Sequence, residues 1–185
     1  MKTVYLLIGL PGAGKTTFAK QKLSNAKIIE LDEVRQELSN KGIIGKEYSS
    51  QDNEIVFKEF NKSILDAISK NDEVVIDATN ARLAERQSIY DLLKDYKPKF
   101  VIINFTDSKE VVLERIKKRQ NENPTCVHYF KNPKEAVDIY AKRIEQNRPS
   151  LSEPVAEIWQ VKNGVVISKN QKVLIASTNL GKISI

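Results

Sequence analysis

The stretch GLPGAGKT, residues 9–16, decides the fold that this sequence predicts. It fits the pattern G-x-x-x-x-G-K-[S/T] at every fixed position. Gly12 and Gly14 permit backbone turns in which successive N–H groups converge on one anion, and the helix expected after the loop adds the positive end of its dipole. The pattern therefore predicts a loop that binds the phosphates of a nucleoside triphosphate.

The side chains of this loop predict ATP and Mg²⁺ as cofactors. Lys15 is expected to reach the β- and γ-phosphates, and the hydroxyl of Thr16 is expected to ligate Mg²⁺. The loop residues predicted to contact the nucleotide are Gly9, Pro11, Gly12, Ala13, Gly14, Lys15, Thr16 and Thr17.

Around this loop, short runs of β-branched residues alternate with longer amphipathic runs. Strands are expected at 3–9, 27–31, 73–78, 99–105 and 156–161. Helices are expected at 15–24, 33–38, 52–69, 83–96, 109–119 and 133–147, and Ile55, Phe60, Ile64 and Ile68 are predicted to share the buried face of the third. The alternation predicts an α/β protein with the P-loop NTPase fold, whose central five-stranded, mainly parallel sheet carries helices on both faces.

Two stretches predict structure outside this alternation. QNENPTCVHYFKNP, residues 120–133, is polar and contains two prolines, so we expect a small lid at about 115–133. Asn163 and Gly164 stand between β-prone runs and predict a C-terminal β-hairpin, which with the tail occupies about 155–185. Residues 1–185 are expected to form a single domain.

The composition limits the class of protein. No run is long and apolar enough to predict a membrane span, and the single cysteine, Cys126, excludes an internal disulfide, so a cytoplasmic protein is expected. The net charge is +6, and the whole excess lies in residues 98–185. This asymmetry is typical either of a protein with an anionic partner, such as a nucleic acid, or of an ordinary lysine-rich surface.

The acceptor side of the expected reaction is predicted from the ends of two strands. Asp32 follows the second strand, so it can accept a proton from an attacking hydroxyl or cap a helix, and Arg35 lies on the same helical face to hold an anionic group. Asp77 ends the third strand and is expected to hold Mg²⁺ or its water, or to pair with Arg35. Thr79 and Asn80 follow as possible hydrogen-bond donors to the substrate.

Two arginines in the stretch ERIKKR, residues 114–119, are predicted to face the donor nucleotide. Arg115 and Arg119 are four residues apart, so they share one helix face beside the expected lid. From there they can neutralise charge on the transferring phosphoryl group, or they can belong to a plain basic helix. The chain contains no D-x-x-G sequence, which argues against a GTPase switch. It is also shorter than a transporter ATPase or an oligomeric motor, so a small phosphotransferase remains as the expected class.

Four stretches together resemble the kinase domain of phage-type and bacterial polynucleotide 5′-hydroxyl kinases. They are GLPGAGKTT (9–17), LDEVRQEL (31–38), VVIDATNARLAERQ (74–87) and ERIKKR (114–119). The resemblance implies ATP and Mg²⁺ at Lys15 and Thr16, and Asp32 as the general base for a 5′-hydroxyl group. It also implies that Arg35 contacts the substrate phosphate with support from Asp77. Arg119 would contact the donor phosphates, with Arg115 the weaker candidate.

Other acceptors stay open at this point. Several related P-loop kinases also have an aspartate after the second strand, so a small-molecule or nucleotide-sugar kinase, with zeta-toxin-like and adenylylsulfate-kinase-like relatives, is an alternative. A nucleotide-binding protein that transfers phosphate only to water is a further alternative. His128 and Cys126 are interpreted as packing residues of the loop, and Trp159 as a core residue of the last predicted strand. One histidine cannot build a metal site of the three-histidine kind.

Overall fold

The computed structural model describes residues 1–45, 50–122 and 132–172. The strands are β1 (Thr3–Ile8), β2 (Lys27–Glu30), β3 (Glu73–Asp77), β4 (Lys99–Phe105), β5 (Glu157–Lys162) and β6 (Val165–Gln171). The helices are α1 (Lys15–Lys22), α2 (Leu31–Asn40), α3 (Ser50–Lys70), α4 (Leu83–Leu92), α5 (Lys109–Glu122) and α6 (Pro133–Gln146). No helix in these ranges is both long and apolar enough to cross a membrane.

The strands form one sheet in the order β2-β3-β1-β4-β5-β6. The neighbours from β2 to β5 are parallel, and Thr3 of β1 lies opposite Glu73 of β3 and Lys99 of β4. The predicted α/β fold is therefore confirmed. The described sheet has six strands and not five, because the second strand of the predicted hairpin pairs antiparallel with β5 and extends the sheet.

The turn of this hairpin has the geometry that its sequence predicts. Asn163 and Gly164 have φ angles of +51° and +74°, and a two-residue turn with two positive φ angles matches the twist of the strands it joins. Trp159 of β5, predicted to be a core residue, is half-buried: its ring centroid lies 6.0 Å from that of Tyr5, and the ammonium group of Lys169 lies 3.6 Å from its centroid.

Two hydrophobic layers cover the two faces of the sheet. Leu6 and its same-face neighbours pack against α2, α3 and α4, whereas Leu7 and its neighbours pack against α1, α5 and α6. The inward face of α3 begins with Val56, which is 0% exposed, and not with the predicted Ile55, which is 41% exposed. Val56 lies four residues before Phe60, so the two side chains share the buried face of α3. Ile55 is one residue earlier along the helix and therefore points away from that face.

Several helix boundaries differ from the prediction by up to four residues. Helix α2 starts at Leu31, directly after β2, so Asp32 lies in its first turn and does not cap it. Helix α4 ends at Leu92, short of the expected residue 96, because a 3₁₀ turn and Lys97 with a φ of +45° precede Pro98. Residues 123–131 of the predicted lid, with Cys126 and His128, and the tail beyond 172 lie outside the described residues.

Candidate active site

The carboxyl ends of β1, β2 and β3 meet at one crevice with a volume of about 800 Å³. Adjacent parallel strands end at the same edge of the sheet, which is where open α/β sheets bind their ligands. The predicted site residues that line the crevice are Pro11, Gly12, Gly14, Lys15, Thr16, Thr17, Asp32, Arg35, Asp77, Thr79, Arg115 and Arg119. The structure thus brings most of the predicted donor-side and acceptor-side residues to a single cavity.

The phosphate loop has the conformation that an anion-binding turn requires. Gly12 and Gly14 have φ angles of +82° and +85°, in the left-handed region where a side chain is strained. Gly9 and Ala13, which were predicted to contact the nucleotide, are buried, and Ala13 belongs to the core beneath the loop. Their side of the loop faces the protein interior, so any contact they make with the nucleotide must come from the backbone.

Lys15 lies over the phosphate loop. Its Nζ atom donates hydrogen bonds to the carbonyl oxygens of Gly9, at 3.1 Å, and of Leu10, at 3.0 Å. Burial lowers the pKa of the Lys15 ammonium group, and the nearby carboxylates of Asp77 and Asp32 oppose that shift. An ammonium group held in such surroundings gains strongly from the arrival of phosphate oxygens.

Thr16 and Asp77 form the oxygen pair from which a metal site could be built. The Thr16 hydroxyl donates a hydrogen bond to Asp77 Oδ2 at 2.5 Å, and burial raises the pKa of the Asp77 carboxyl group despite the nearby Lys15 charge. Among the described residues, no group of three or more His, Cys, Asp or Glu side chains could hold a metal alone. A hydroxyl and a carboxylate oxygen beside a phosphate loop nevertheless fit Mg²⁺, which takes one or two protein ligands and the rest from phosphates and water.

Helix α2 supplies the opposite wall of the crevice. Arg35 Nη1 donates to Asp32 Oδ1 at 2.7 Å, and the Arg35 side chain is 17% exposed whereas that of Asp32 is 71% exposed. Asp77 was predicted to support Arg35. In the structure the Asp77 carboxylate accepts a hydrogen bond from the Thr16 hydroxyl group. The guanidinium group therefore lies deep in the wall, with the Asp32 carboxylate at its outer side.

Other residues of the crevice were not singled out from the sequence. Glu30 and Glu33 flank Asp32 and line the same wall, and burial together with the Glu30 charge raises the pKa of the Glu33 carboxyl group. Tyr140 and Pro133 of α6 line the other side. The acids could have been found from their positions beside Asp32, but α6 carries no sequence signal that places it at the crevice.

The two arginines of α5 differ in their surroundings. Arg115 Nη2 lies 3.0 Å from both Asp107 Oδ1 and Asn163 Oδ1, and its Nη1 donates to the carbonyl oxygen of Ala13 at 3.4 Å. Arg115 therefore ties the phosphate loop to the start of α5 and to the β5–β6 turn. Arg119, one turn further along α5, is exposed and lines the crevice, close enough for its charge to act on Lys15.

Asn80, predicted to be a donor to the substrate, is placed beneath the crevice. Its side chain is buried, and its Nδ2 atom donates to the carbonyl oxygen of Leu7 at 2.8 Å. Its own carbonyl oxygen accepts a hydrogen bond from Arg86, a residue that the sequence did not single out. Thr79, its neighbour, does line the crevice.

The fold and the site define a class of protein. A mainly parallel sheet whose central strand leads into a G-x-x-x-x-G-K-T loop, with an aspartate and an arginine on the facing helix, is the arrangement of a P-loop kinase-like domain. The chain belongs to a family whose model is described as an AAA domain (AAA_33), and this model matches residues 4–147.

Solved structures share this fold at low sequence identity. A chain of the Pnkp1/Rnl/Hen1 RNA repair complex is 23% identical with a TM-score of 0.65; the match covers 80% of this chain and 45% of that chain. A chain of the PezAT chromosomal toxin-antitoxin system of Streptococcus pneumoniae is 20% identical with a TM-score of 0.67, over 91% of this chain and 72% of that one. Chaetomium thermophilum Kti12, in complex with ADP-AlF3, is 14% identical with a TM-score of 0.60, and the match covers 86% of this chain and 88% of that chain.

Proposed function

We propose that the protein is an ATP-dependent kinase that transfers the γ-phosphate to a hydroxyl group, with the 5′-hydroxyl end of a polynucleotide as the favoured acceptor. The observation that carries the proposal is the single crevice that Lys15 and Thr16 share with Asp32 and Arg35. A protein that only binds or hydrolyses ATP needs Lys15 and Thr16 but does not need Asp32 and Arg35.

The donor half of the site follows from the phosphate loop. The backbone N–H groups between Gly12 and Thr16 hold the phosphates, and the Lys15 ammonium group stabilises charge on the β- and γ-phosphates. Mg²⁺, held by Thr16 and Asp77, neutralises further phosphate charge when it is bound. Arg119 lines the same crevice from α5 and brings a further positive charge to the donor half of the site.

The acceptor half follows from α2. The acceptor hydroxyl oxygen forms a bond to the γ-phosphorus as the bond between that phosphorus and the β–γ bridging oxygen breaks, and ADP leaves. The Asp32 carboxylate takes the hydroxyl proton, and the Arg35 guanidinium group holds an anionic group of the acceptor. Arg35 is largely buried and therefore positioned before the acceptor arrives.

Three observations support a polynucleotide acceptor. The sequence resembles polynucleotide 5′-hydroxyl kinases, one structural neighbour belongs to an RNA repair complex, and residues 98–185 carry the excess positive charge. Glu30 and Glu33 on the acceptor wall favour a second candidate, a small acceptor with little negative charge, because two carboxylates repel a polyanion that runs along the wall.

The first experiment identifies the acceptor. The full chain is incubated with ATP labelled at the γ-phosphate and Mg²⁺, and separately with 5′-hydroxyl DNA, 5′-hydroxyl RNA and a panel of small hydroxyl metabolites, nucleotide sugars included. We expect label in an oligonucleotide. Label only in a small metabolite selects the second candidate, and label only in free phosphate contradicts kinase activity.

The second experiment tests the role of Asp32. Asp32→Asn is expected to slow transfer by about 10²–10⁴-fold, the range for removal of a general base, while the affinity for ATP stays unchanged. Glu37→Gln is the matched control, because Glu37 is an exposed carboxylate on the same helix. Lys15→Ala is expected to weaken ATP binding and transfer together. Full transfer by Asp32→Asn would contradict the assignment of the base.

A further inference from the structure

A buried ion pair lies behind the crevice. Arg86 of α4 is 1% exposed and Glu153, which follows α6, is 6% exposed. Arg86 Nε donates to Glu153 Oε2 at 2.7 Å and Arg86 Nη2 donates to Oε1 at 2.9 Å, so the pair is bidentate. Glu153 lies beyond the residues 4–147 that the family model matches.

The remaining acceptor capacity of the carboxylate is also used. The Tyr90 hydroxyl donates to Glu153 Oε2 at 2.9 Å, and the backbone N–H of Ser150 donates to Oε1 at 3.1 Å. Burial opposes the charge of Glu153, but the hydrogen bonds and the charge of Arg86 outweigh it, so the pKa of Glu153 lies below its ordinary value. The pair is therefore ionised and fixed in one geometry.

The guanidinium group also reaches the backbone on both sides of the pair. Arg86 Nη1 donates to the carbonyl oxygen of Asn80 at 3.1 Å, and Nη2 donates to the carbonyl oxygen of Asn147 at 3.0 Å. One side chain thus joins the turn after β3 to the end of α6. The first of these contacts connects the ion pair directly to the turn that carries Thr79.

The turn after β3 is held from its other side by β1 and the phosphate loop. Asn80, with a φ of +43°, donates through Nδ2 to the carbonyl oxygen of Leu7 at 2.8 Å, and the N–H of Gly9 donates to the carbonyl oxygen of Thr79 at 3.4 Å. Thr79 stands between these contacts and lines the crevice beside Asp77.

We propose that Arg86 and Glu153 are positioning residues that fix the Thr79–Asn80 turn at a set distance from the phosphate loop, so that Thr79 can bind the acceptor. The proposal rests on the proposed kinase function, because it assigns Thr79 to the acceptor and not to the donor. Arg86 is not one of the residues that line the crevice, so we expect ATP binding to depend on it less than acceptor binding does.

The test is the double variant Arg86→Met with Glu153→Gln, which removes both charges and leaves no unpaired charge in the interior. We expect the acceptor KM to rise at least tenfold, while the KM for ATP and the slow hydrolysis of ATP to free phosphate change less than threefold. Tyr90→Phe is the matched control. It removes one hydrogen bond to Glu153 but leaves the contact between Arg86 and Asn80 intact, so its acceptor KM is expected to stay at the wild-type value.

A second measurement does not depend on kinase activity. Hydrogen–deuterium exchange of the backbone amides at residues 79–81 is expected to be at least tenfold faster in the double variant than in Tyr90→Phe. Equal exchange in the two variants overturns the proposal, and so does an unchanged acceptor KM. If the wild-type protein transfers phosphate to no acceptor, the proposed function fails, while the exchange rates still decide whether the pair holds the turn.

Discussion

The substitution Gly12→Ala isolates how tightly the phosphate loop is packed against α5. Gly12 has a φ of +82°, and a Cβ atom built on it would lie 2.8 Å from Ile116 Cγ1 and 3.0 Å from the carbonyl oxygen of Val112. Gly14 has nearly the same φ, +85°, but a Cβ atom there would meet nothing within 4 Å. The two glycines therefore share the cost of a left-handed backbone and differ in the steric cost.

The expected magnitudes follow from these two costs. A left-handed L-residue costs about 1–2 kcal/mol, which is the whole expected loss in stability for Gly14→Ala. An extra carbon forced into a packed core costs about 1–3 kcal/mol more, and the carbonyl oxygen of Val112 is held in α5 and cannot move away freely. Gly12→Ala is thus expected to destabilise the fold by roughly 2–5 kcal/mol.

Thermal unfolding without nucleotide is the assay, because a ligand bound to the folded state would hide part of the difference. For a chain of this length 1 kcal/mol shifts Tm by about 2–4 °C, so Gly12→Ala should melt roughly 2–12 °C below Gly14→Ala. Gly42→Ala, at a φ of +68° with nothing within 4 Å, calibrates the backbone cost away from the crevice. Equal melting temperatures for Gly12→Ala and Gly14→Ala would refute the packing of the loop against α5.

The other predictions concern the reaction and its pH dependence. Arg119→Ala should lower kcat by about 10²–10³-fold through lost stabilisation of phosphoryl charge. Lys118 is the adjacent exposed cation, and Lys118→Ala should change kcat less than threefold. Equal effects of the two substitutions would contradict the assignment of Arg119 to the site. Because the pKa of Glu153 is lowered in the fold, its ionic contribution to stability is complete above the ordinary glutamate pKa of about 4.3 and is lost as the pH falls through the folded value. Urea unfolding between pH 6 and pH 3 should therefore show a steeper loss of stability for the wild type than for the variant that lacks both Arg86 and Glu153, and parallel profiles would contradict the pairing.

The fold could be predicted because its signals are local. The G-x-x-x-x-G-K-T loop specifies a strand before it and a helix after it, and apolar runs without alternation specify strands that are buried on both faces. The sixth strand was expected as part of the C-terminal hairpin but was not counted in the sheet, because its second half, SKNQ, is polar and no local pattern shows which edge it joins. Val56 and Ile55 are both apolar, so only the packed structure decides which of them faces the core.

The site was predictable as far as its residues follow the strand ends. Asp32, Asp77 and Thr79 were expected at the crevice because the topology of a parallel sheet brings the carboxyl ends of its strands together. Arg86 and Glu153 are 67 residues apart, and each alone has the pattern of a surface charge. A buried pair of this kind leaves no signal in a single sequence, since the partner of a charge is decided by tertiary packing.

The ion pair between Asp32 and Arg35 connects the two parts of the acceptor site. While Asp32 Oδ1 accepts the hydrogen bond from Arg35, that oxygen is engaged by the guanidinium group and is less open to the hydroxyl group of an acceptor. An acceptor that brings a phosphate next to its hydroxyl offers Arg35 a competing anion, and the Asp32 carboxylate is then released to take the proton. An acceptor without an anion leaves the pair intact, so its hydroxyl group meets a carboxylate whose Oδ1 atom is already hydrogen-bonded. The chemistry of α2 thus favours an acceptor in which hydroxyl and anion are neighbours. In the acceptor experiment a 5′-hydroxyl nucleoside 3′-phosphate should therefore be phosphorylated faster than the same nucleoside without phosphate, and the opposite order would contradict this role of Arg35.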